Sequence, residues 1–141
     1  MHIVNLPFNS HVGIARAEGD EFELSLSFSE HLTNHLGTVH ASALFALAEA
    51  TSGEFLIHSR GARNDIGGVV RRSSSKYSRP ATGDVFSLVK TAPSIFEEAI
   101  AKVDSRGKAL VDVEVELVDA NANSLATFSF TWMLAADEVA E

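Results

Sequence analysis

The stretch NHLGTVHASALFALAEATSG, residues 34 to 53, carries few side chains able to do chemistry: between Val39 and Thr51 only His40, Ser42 and Glu49 are neither small nor apolar. Burial among such neighbours raises the basicity of a carboxylate, which suits Glu49 to take a proton from water as a general base or to attack an electrophile itself. His40 lies nine residues earlier, where the apolar segment begins. If the segment is a helix, its first N–H groups have no intrahelical acceptor and stand at the positive end of the dipole. The backbone N–H of Ala41 is then placed to stabilise an oxyanion. Plainer roles compete with these: Glu49 in an ion pair with an Arg or turned to solvent, His40 as a loop histidine, Asn34 as a turn or cap residue. His31, His35 and His40 do not make a metal site, because Gly37 interrupts any helix between them and no carboxylate or cysteine completes a set. No metal or other cofactor is expected.

Several elements must position these groups. From about His40 to Ser59 the chain is rich in alanine and leucine, lacks proline and has apolar residues on every side, so it predicts a long helix enclosed by protein. Before it, Phe22, Leu24, Leu26 and Phe28 alternate with polar residues as a half-buried strand, with a shorter strand around Val12 to Ala17. After the punctuation of Gly61 to Gly68, VVRRSSSKYS predicts a strand ending at Arg79-Pro80, ATGD a turn, and VFSLVKTA another strand stopped by Pro93. Ser94 and Glu97 fit a capping box, and Ile95, Phe96, Ala99, Ile100 and Val103 form a helical stripe ending at Gly107. ALVDVEVELVD and SLATFSFTWML, joined by ANAN, form a hairpin signal in which Val111, Val113, Val115 and Leu117 share a face and Phe128, Phe130 and Trp132 alternate in the partner. A central helix apolar all round, with this much strand to wrap it, predicts an α+β fold: a curved antiparallel sheet around a long helix, plus one short helix.

The 141 residues suit one domain spanning 1–141. No apolar run reaches the ~18 residues needed to span a bilayer, and MHIVNLPFNSH lacks a basic region followed by an apolar stretch. With no cysteine, disulfides and thiolate chemistry are out, and a soluble, cytoplasmic protein without a membrane partner is expected. A net charge of −8 argues against a nucleic-acid partner. The charge is uneven, however. Arg60, Arg63, Arg71, Arg72, Lys76 and Arg79 face the single acid Asp65 over twenty residues, while the terminal DEVAE is acidic. Such a strip suits a small polyanion, or else simply solvates strand faces.

The pattern N-x-x-G-T-x-H-A-S-A-L-F-A-L-A-E, with Asn34, Gly37, His40 and Glu49 in register, closely resembles the signature of hotdog-fold acyl-CoA thioesterases of the phenylacetate-pathway and thioesterase-superfamily kind. KYSRPATGD resembles the family's turn after its third strand. The resemblance implies hydrolysis of an acyl-CoA in a homodimer or dimer of dimers, with Glu49 of one subunit meeting Asn34, His40 and Ala41 of the other and Gly37 and Phe45 lining the substrate site. It further implies CoA phosphate contacts at Tyr77, Ser78, Arg79 and Pro80, and at Arg106, Gly107 and Lys108; charge alone adds Arg71, Arg72 and Lys76. Ala41-Ser42 replaces the family's Gly-Gly, which leaves the N–H in place. Val70 stands where some relatives carry an assisting serine, which leaves Ser73 or Ser74 to substitute. The helix from Ser94 resembles an insertion or a replacement for a tighter hairpin. Two alternatives remain open at this level: a hotdog protein that binds an acyl thioester or apolar ligand without turnover, and, on weaker grounds, a hydratase or dehydratase.

Overall fold

The computed structural model describes residues 1–136; the acidic segment 137–141 singled out in the sequence lies outside them. Its centre is helix α2, Ala41–Ser59, whose buried residues Leu44, Leu47, Ala48, Thr51 and Leu56 point in several directions around the axis. One six-stranded, fully antiparallel sheet packs on it, built from β1 (Ile14–Arg16), β2 (Leu24–Leu26), β3 (Ile66–Tyr77), β4 (Val85–Val89), β5 (Lys108–Val118) and β6 (Ser124–Ala136). The spatial order is β1-β2-β4-β5-β6-β3, so β3 is an edge strand twelve residues long. This is the α+β architecture the sequence predicts.

The β5–β6 hairpin forms as its alternation dictates. Val111, Val113, Val115, Leu117, Phe128, Phe130 and Leu134 are buried on the α2 side, and Asp119 Oδ1 closes the turn by accepting from the N–H groups of Asn121 and Asn123, both at 2.9 Å. Two buried polar links fix α2 on the sheet. Thr51 Oγ1 lies 2.7 Å from Ser87 Oγ on β4, and Trp132 Nε1 on β6 donates to Ser52 Oγ at 3.0 Å. Ser52 Oγ in turn donates to the carbonyl of Glu49 at 2.7 Å, so the indole anchors the turn of helix that carries the carboxylate.

Some expectations need correction. A short helix α1, Pro7–Val12, precedes β1, starting at a proline and ending at Gly13 with φ 96°; at six residues it is too short to leave a periodic signal. The strand expected across Phe22 to Phe28 contracts to Leu24–Leu26, because the N–H of Phe28 leaves the ladder for Asp84 Oδ1 at 2.7 Å and the ring is exposed. β3 starts earlier than expected, at Ile66, and runs through Gly67-Gly68. A Cβ on Gly68 would meet Leu134 Cδ2 at 3.0 Å and Trp132 Cε3 at 3.1 Å, so glycine permits the strand to pass over the indole there. Helix α3, Ile95–Arg106, ends at Gly107 as expected, but Ser94 has helical dihedrals and its side chain caps nothing, so no capping box forms. Ile95 is exposed rather than part of the buried stripe.

Candidate active site

Helix α2 is preceded by His40, whose dihedrals are extended and whose Nδ1 accepts the N–H of Ser42 at 2.9 Å. The imidazole therefore caps the helix where a serine or aspartate more often stands. The N–H of Ala43 goes to the His40 carbonyl at 2.9 Å, whereas that of Ala41 finds no acceptor among the described residues. An unpaired N–H at a helix start, on an exposed residue, is a donor awaiting an acceptor.

Eight residues further on, about 12 Å along the axis at 1.5 Å per residue, Glu49 is half-buried. Among the described residues its carboxylate takes part in no ion pair and no side-chain hydrogen bond. Burial with no compensating cation pushes its pKa above the ordinary glutamate value. Glu49 and Ala41 line the same cleft of about 540 Å³, together with Phe8, Ser42, Phe45, Ala46 and Tyr77. Its aromatic wall is held edge to face: Phe45 stands 6.0 Å from Phe128, and Tyr77 5.6 Å from Phe128, between ring centroids. The arrangement offers a basic carboxylate and an unpaired N–H around an apolar hollow.

Asn34 is spent mostly on its own loop. Its Oδ1 accepts from the N–H groups of Leu36 at 2.9 Å and Thr38 at 3.2 Å, and its Nδ2 donates to Thr38 Oγ1 at 2.9 Å. Gly37 completes this turn with φ 76°, a backbone state that favours glycine. Tyr77, Ser78, Arg79 and Pro80 gather with Asn34 and Ala41 around a neighbouring hollow of about 300 Å³. His40 lines a third, of about 340 Å³, with Phe8 and His31.

Arg106 and Lys108 lie elsewhere. They border a groove on the face of the sheet turned away from α2, with Arg71, Arg72 and Lys102. A bulge in β3 between Val70 and Arg72 shifts the register against β6, so that Val70 pairs with Trp132 but Arg72 with Thr131. Opposed residues share a face, so beyond the bulge Ser73 and Ser75, opposite Phe130 and Phe128, stand on the α2 side with Tyr77, and Ser74 stands on the other. Val70 packs against the core. Sequence reasoning missed Phe8, an exposed ring that α1 brings to the cleft; the only available signal was Pro7, a helix start.

A family model described as a domain of unknown function, DUF4442, matches residues 5–134. No curated protein matches. Among solved structures, a Pseudomonas aeruginosa protein of unknown function described as a probable thioesterase is similar with a TM-score of 0.81 and 23% identity, covering 95% of this chain and 91% of that one. An Escherichia coli protein from the phenylacetic acid degradation operon is similar with a TM-score of 0.63 and 15% identity, covering 91% and 83%. A Bacillus halodurans protein solved with CoA has a TM-score of 0.66 and 14% identity, covering 90% and 74%. Likeness at these identities is one of fold: this chain has the hotdog fold that the sequence motif implies.

Proposed function

The chain belongs to the DUF4442 family and has the hotdog fold of proteins described as thioesterases, and from that premise we propose that it hydrolyses an acyl-CoA thioester to the free acid and CoA. The observation that carries this reading is the half-buried carboxylate of Glu49, facing an apolar cleft that also holds the N–H of Ala41, both without a partner among the described residues. In the proposed reaction Glu49 takes a proton from water, the resulting hydroxide attacks the thioester carbonyl, and the N–H of Ala41 stabilises the oxyanion. The C–S bond then breaks, and the proton held by Glu49 leaves with the CoA sulfur. Direct attack by Glu49 to give an anhydride, then hydrolysed, is the other balanced course.

Some 12 Å of helix is too much for one thioester group to bridge within a single chain. We therefore take the active form to be a homodimer, in which Glu49 of one subunit meets Ala41 of the partner subunit. The outer edge of β3 supports this, since a strand of twelve residues with no strand beside it among the described residues favours pairing with a second copy. Tyr77, Ser78, Arg79 and Pro80 are the residues proposed to hold the CoA diphosphate beside the cleft, with Gly37 shaping the loop and Phe45 contacting the acyl group. His40 serves as the helix cap that aims the Ala41 N–H, and Asn34 holds the preceding loop. The solved relative that carries CoA lends the ligand class its support.

A panel of acyl-CoAs incubated with the wild-type chain and with Glu49→Ala tests the reading. Release of CoA by the wild type, reduced roughly 10²–10⁴-fold in the variant, is expected for loss of a general base. Equal, slow release by both would instead support a protein that binds the thioester without turning it over.

A further inference from the structure

Two smaller hollows adjoin the cleft through different residues at the start of α2. Ala41 lines both the cleft and the hollow of Tyr77, Ser78, Arg79 and Pro80, whereas Phe8 and Ser42 line both the cleft and a further hollow of about 340 Å³. The proposed reaction uses the cleft for the carbonyl and the first hollow for the CoA diphosphate. It leaves the second hollow without a role. The walls of that hollow come from α1, the segment 31–33 and the start of α2, and none of them from β3, so they do not depend on how the β3 edge pairs with a second copy.

The buried residues of this hollow are apolar and the exposed ones mostly polar. Val12 and Ala43 are buried, and Leu32 packs against the core. His31 and His40 are exposed, and the polar side chains are engaged with their own loops. His31 Nδ1 lies 2.6 Å from Ser29 Oγ, Thr33 Oγ1 donates to the Glu30 carbonyl at 2.7 Å, and His40 Nδ1 accepts the Ser42 N–H. Nothing there calls for a charged ligand. Phe8 is the member that the fold leaves unexplained. Its ring is 65% exposed and joins none of the aromatic pairs formed among the described residues. Other residues hold α1 in place: Asn9 Nδ2 donates to the carbonyl of Ile3 at 2.9 Å, and Val12 is buried in the core. A fixed helix thus carries an exposed ring to the boundary between two apolar spaces, where a ligand would cover it.

We infer that the acyl group is an unbranched chain long enough to leave the cleft, that it passes between Phe8 and Ser42 into the second hollow, and that Phe8 sets the preference for chain length. This rests on the acyl-CoA reading and deepens it by naming the substrate class. A compact acyl group, short or single-ringed, is accommodated by the 540 Å³ of the cleft and gains nothing from the hollow beyond it. An extended chain gains at every step. Each methylene that leaves water for the space among Val12, Leu32 and Ala43 raises affinity by up to about fourfold, until the hollow is full. Alanine at position 43 keeps that space open, because its side chain ends at Cβ. The ring of Phe8 loses its own exposure to water as the chain passes, which adds apolar contact that a short acyl group does not reach.

The test uses CoA thioethers, which lack the carbonyl and cannot be hydrolysed: calorimetric titration of the full chain with butyl-CoA, dodecyl-CoA and phenethyl-CoA. Wild type is expected to bind dodecyl-CoA at least about tenfold more tightly than butyl-CoA. Leu32→Trp fills the hollow and Phe8→Ala removes the ring, and each should reduce that preference roughly tenfold. Phe8→Ala deletes an exposed side chain and should melt as the wild type does, so it carries the test alone should Leu32→Trp fail to fold. Equal binding of butyl-CoA and dodecyl-CoA, a preference unchanged in either folded variant, or tighter binding of phenethyl-CoA than of dodecyl-CoA would each overturn the inference. Hydrolysis of butyryl-CoA, followed in parallel, keeps it apart from the reading it rests on. Turnover without a chain-length preference in binding sinks this inference alone. Chain-length-dependent binding that weakens in Phe8→Ala, without turnover, sustains it and removes the hydrolysis.

Discussion

Glu49 holds a position that the proposed hydrolysis explains and stability does not. Burial raises its pKa, so the folded state binds the proton more tightly than the unfolded chain does. Its contribution to stability is therefore complete below the ordinary glutamate value of 4.5 and is lost as pH rises through the raised value. Glu49→Gln should accordingly melt higher than the wild type at pH 7 to 8 and lose that advantage toward pH 4, as followed by thermal melts across pH. Activity should move in the opposite sense, rising with pH as the carboxylate ionises. The cap gives a second prediction at this scale: His40→Ala should cost about 1 kcal/mol, and His40→Asn, whose side chain can accept the same Ser42 N–H, should restore most of it. A melt of His40→Ala indistinguishable from wild type would remove the capping role. The sequence offered both residues by type and spacing. It left open that Asn34 commits its Oδ1 to the backbone of its own loop, because a turn asparagine and a substrate-binding one have the same spelling.

Elements position these residues through a few contacts. Trp132 to Ser52, and Ser52 to the carbonyl of Glu49, lock the middle of α2 to β6. Trp132→Phe leaves a partly buried hydroxyl without its donor and should cost about 1–3 kcal/mol in denaturant unfolding, with no change in the slope; an unchanged midpoint would contradict this. Strong periodicity was legible here. Val111 to Leu117 and Phe128 to Trp132 alternate without exception, and the apolar wheel of α2 demands enclosure, so hairpin, central helix and fold class could be read from residue order. The β3 bulge could not. Its effect on Arg71, Ser73 and Tyr77 depends on how β6 pairs across from them, which is a long-range matter that one strand's own sequence does not encode. The same limit hid α1, since six residues give less than two turns of pattern.

At the scale of the whole molecule the sheet is unfinished on one side. β1, at the far edge, is three residues long, whereas β3 presents twelve and, among the described residues, has no neighbour on its outer side. Sedimentation should return twice the chain mass of 15.1 kDa or a multiple of it, and a monomer at micromolar concentration would remove the shared site. The placement of Ala41 allows that sharing to be tested chemically. Ala41 is the first residue of α2, its N–H has no acceptor among the described residues, and His40 before it has ψ 140°, a conformation compatible with a following proline. Ala41→Pro should thus delete the proposed oxyanion donor, lowering kcat about 10²–10³-fold with little change in melting.

The most direct test mixes subunits of Glu49→Gln with subunits of Ala41→Pro after dissociation and reassembly, and follows acyl-CoA hydrolysis. Each heterodimer has one site with both groups intact, so random pairing predicts recovery to about a quarter of wild-type activity. Activity that stays at the level of the two separate variants would contradict a site shared between Glu49 of one subunit and Ala41 of its partner.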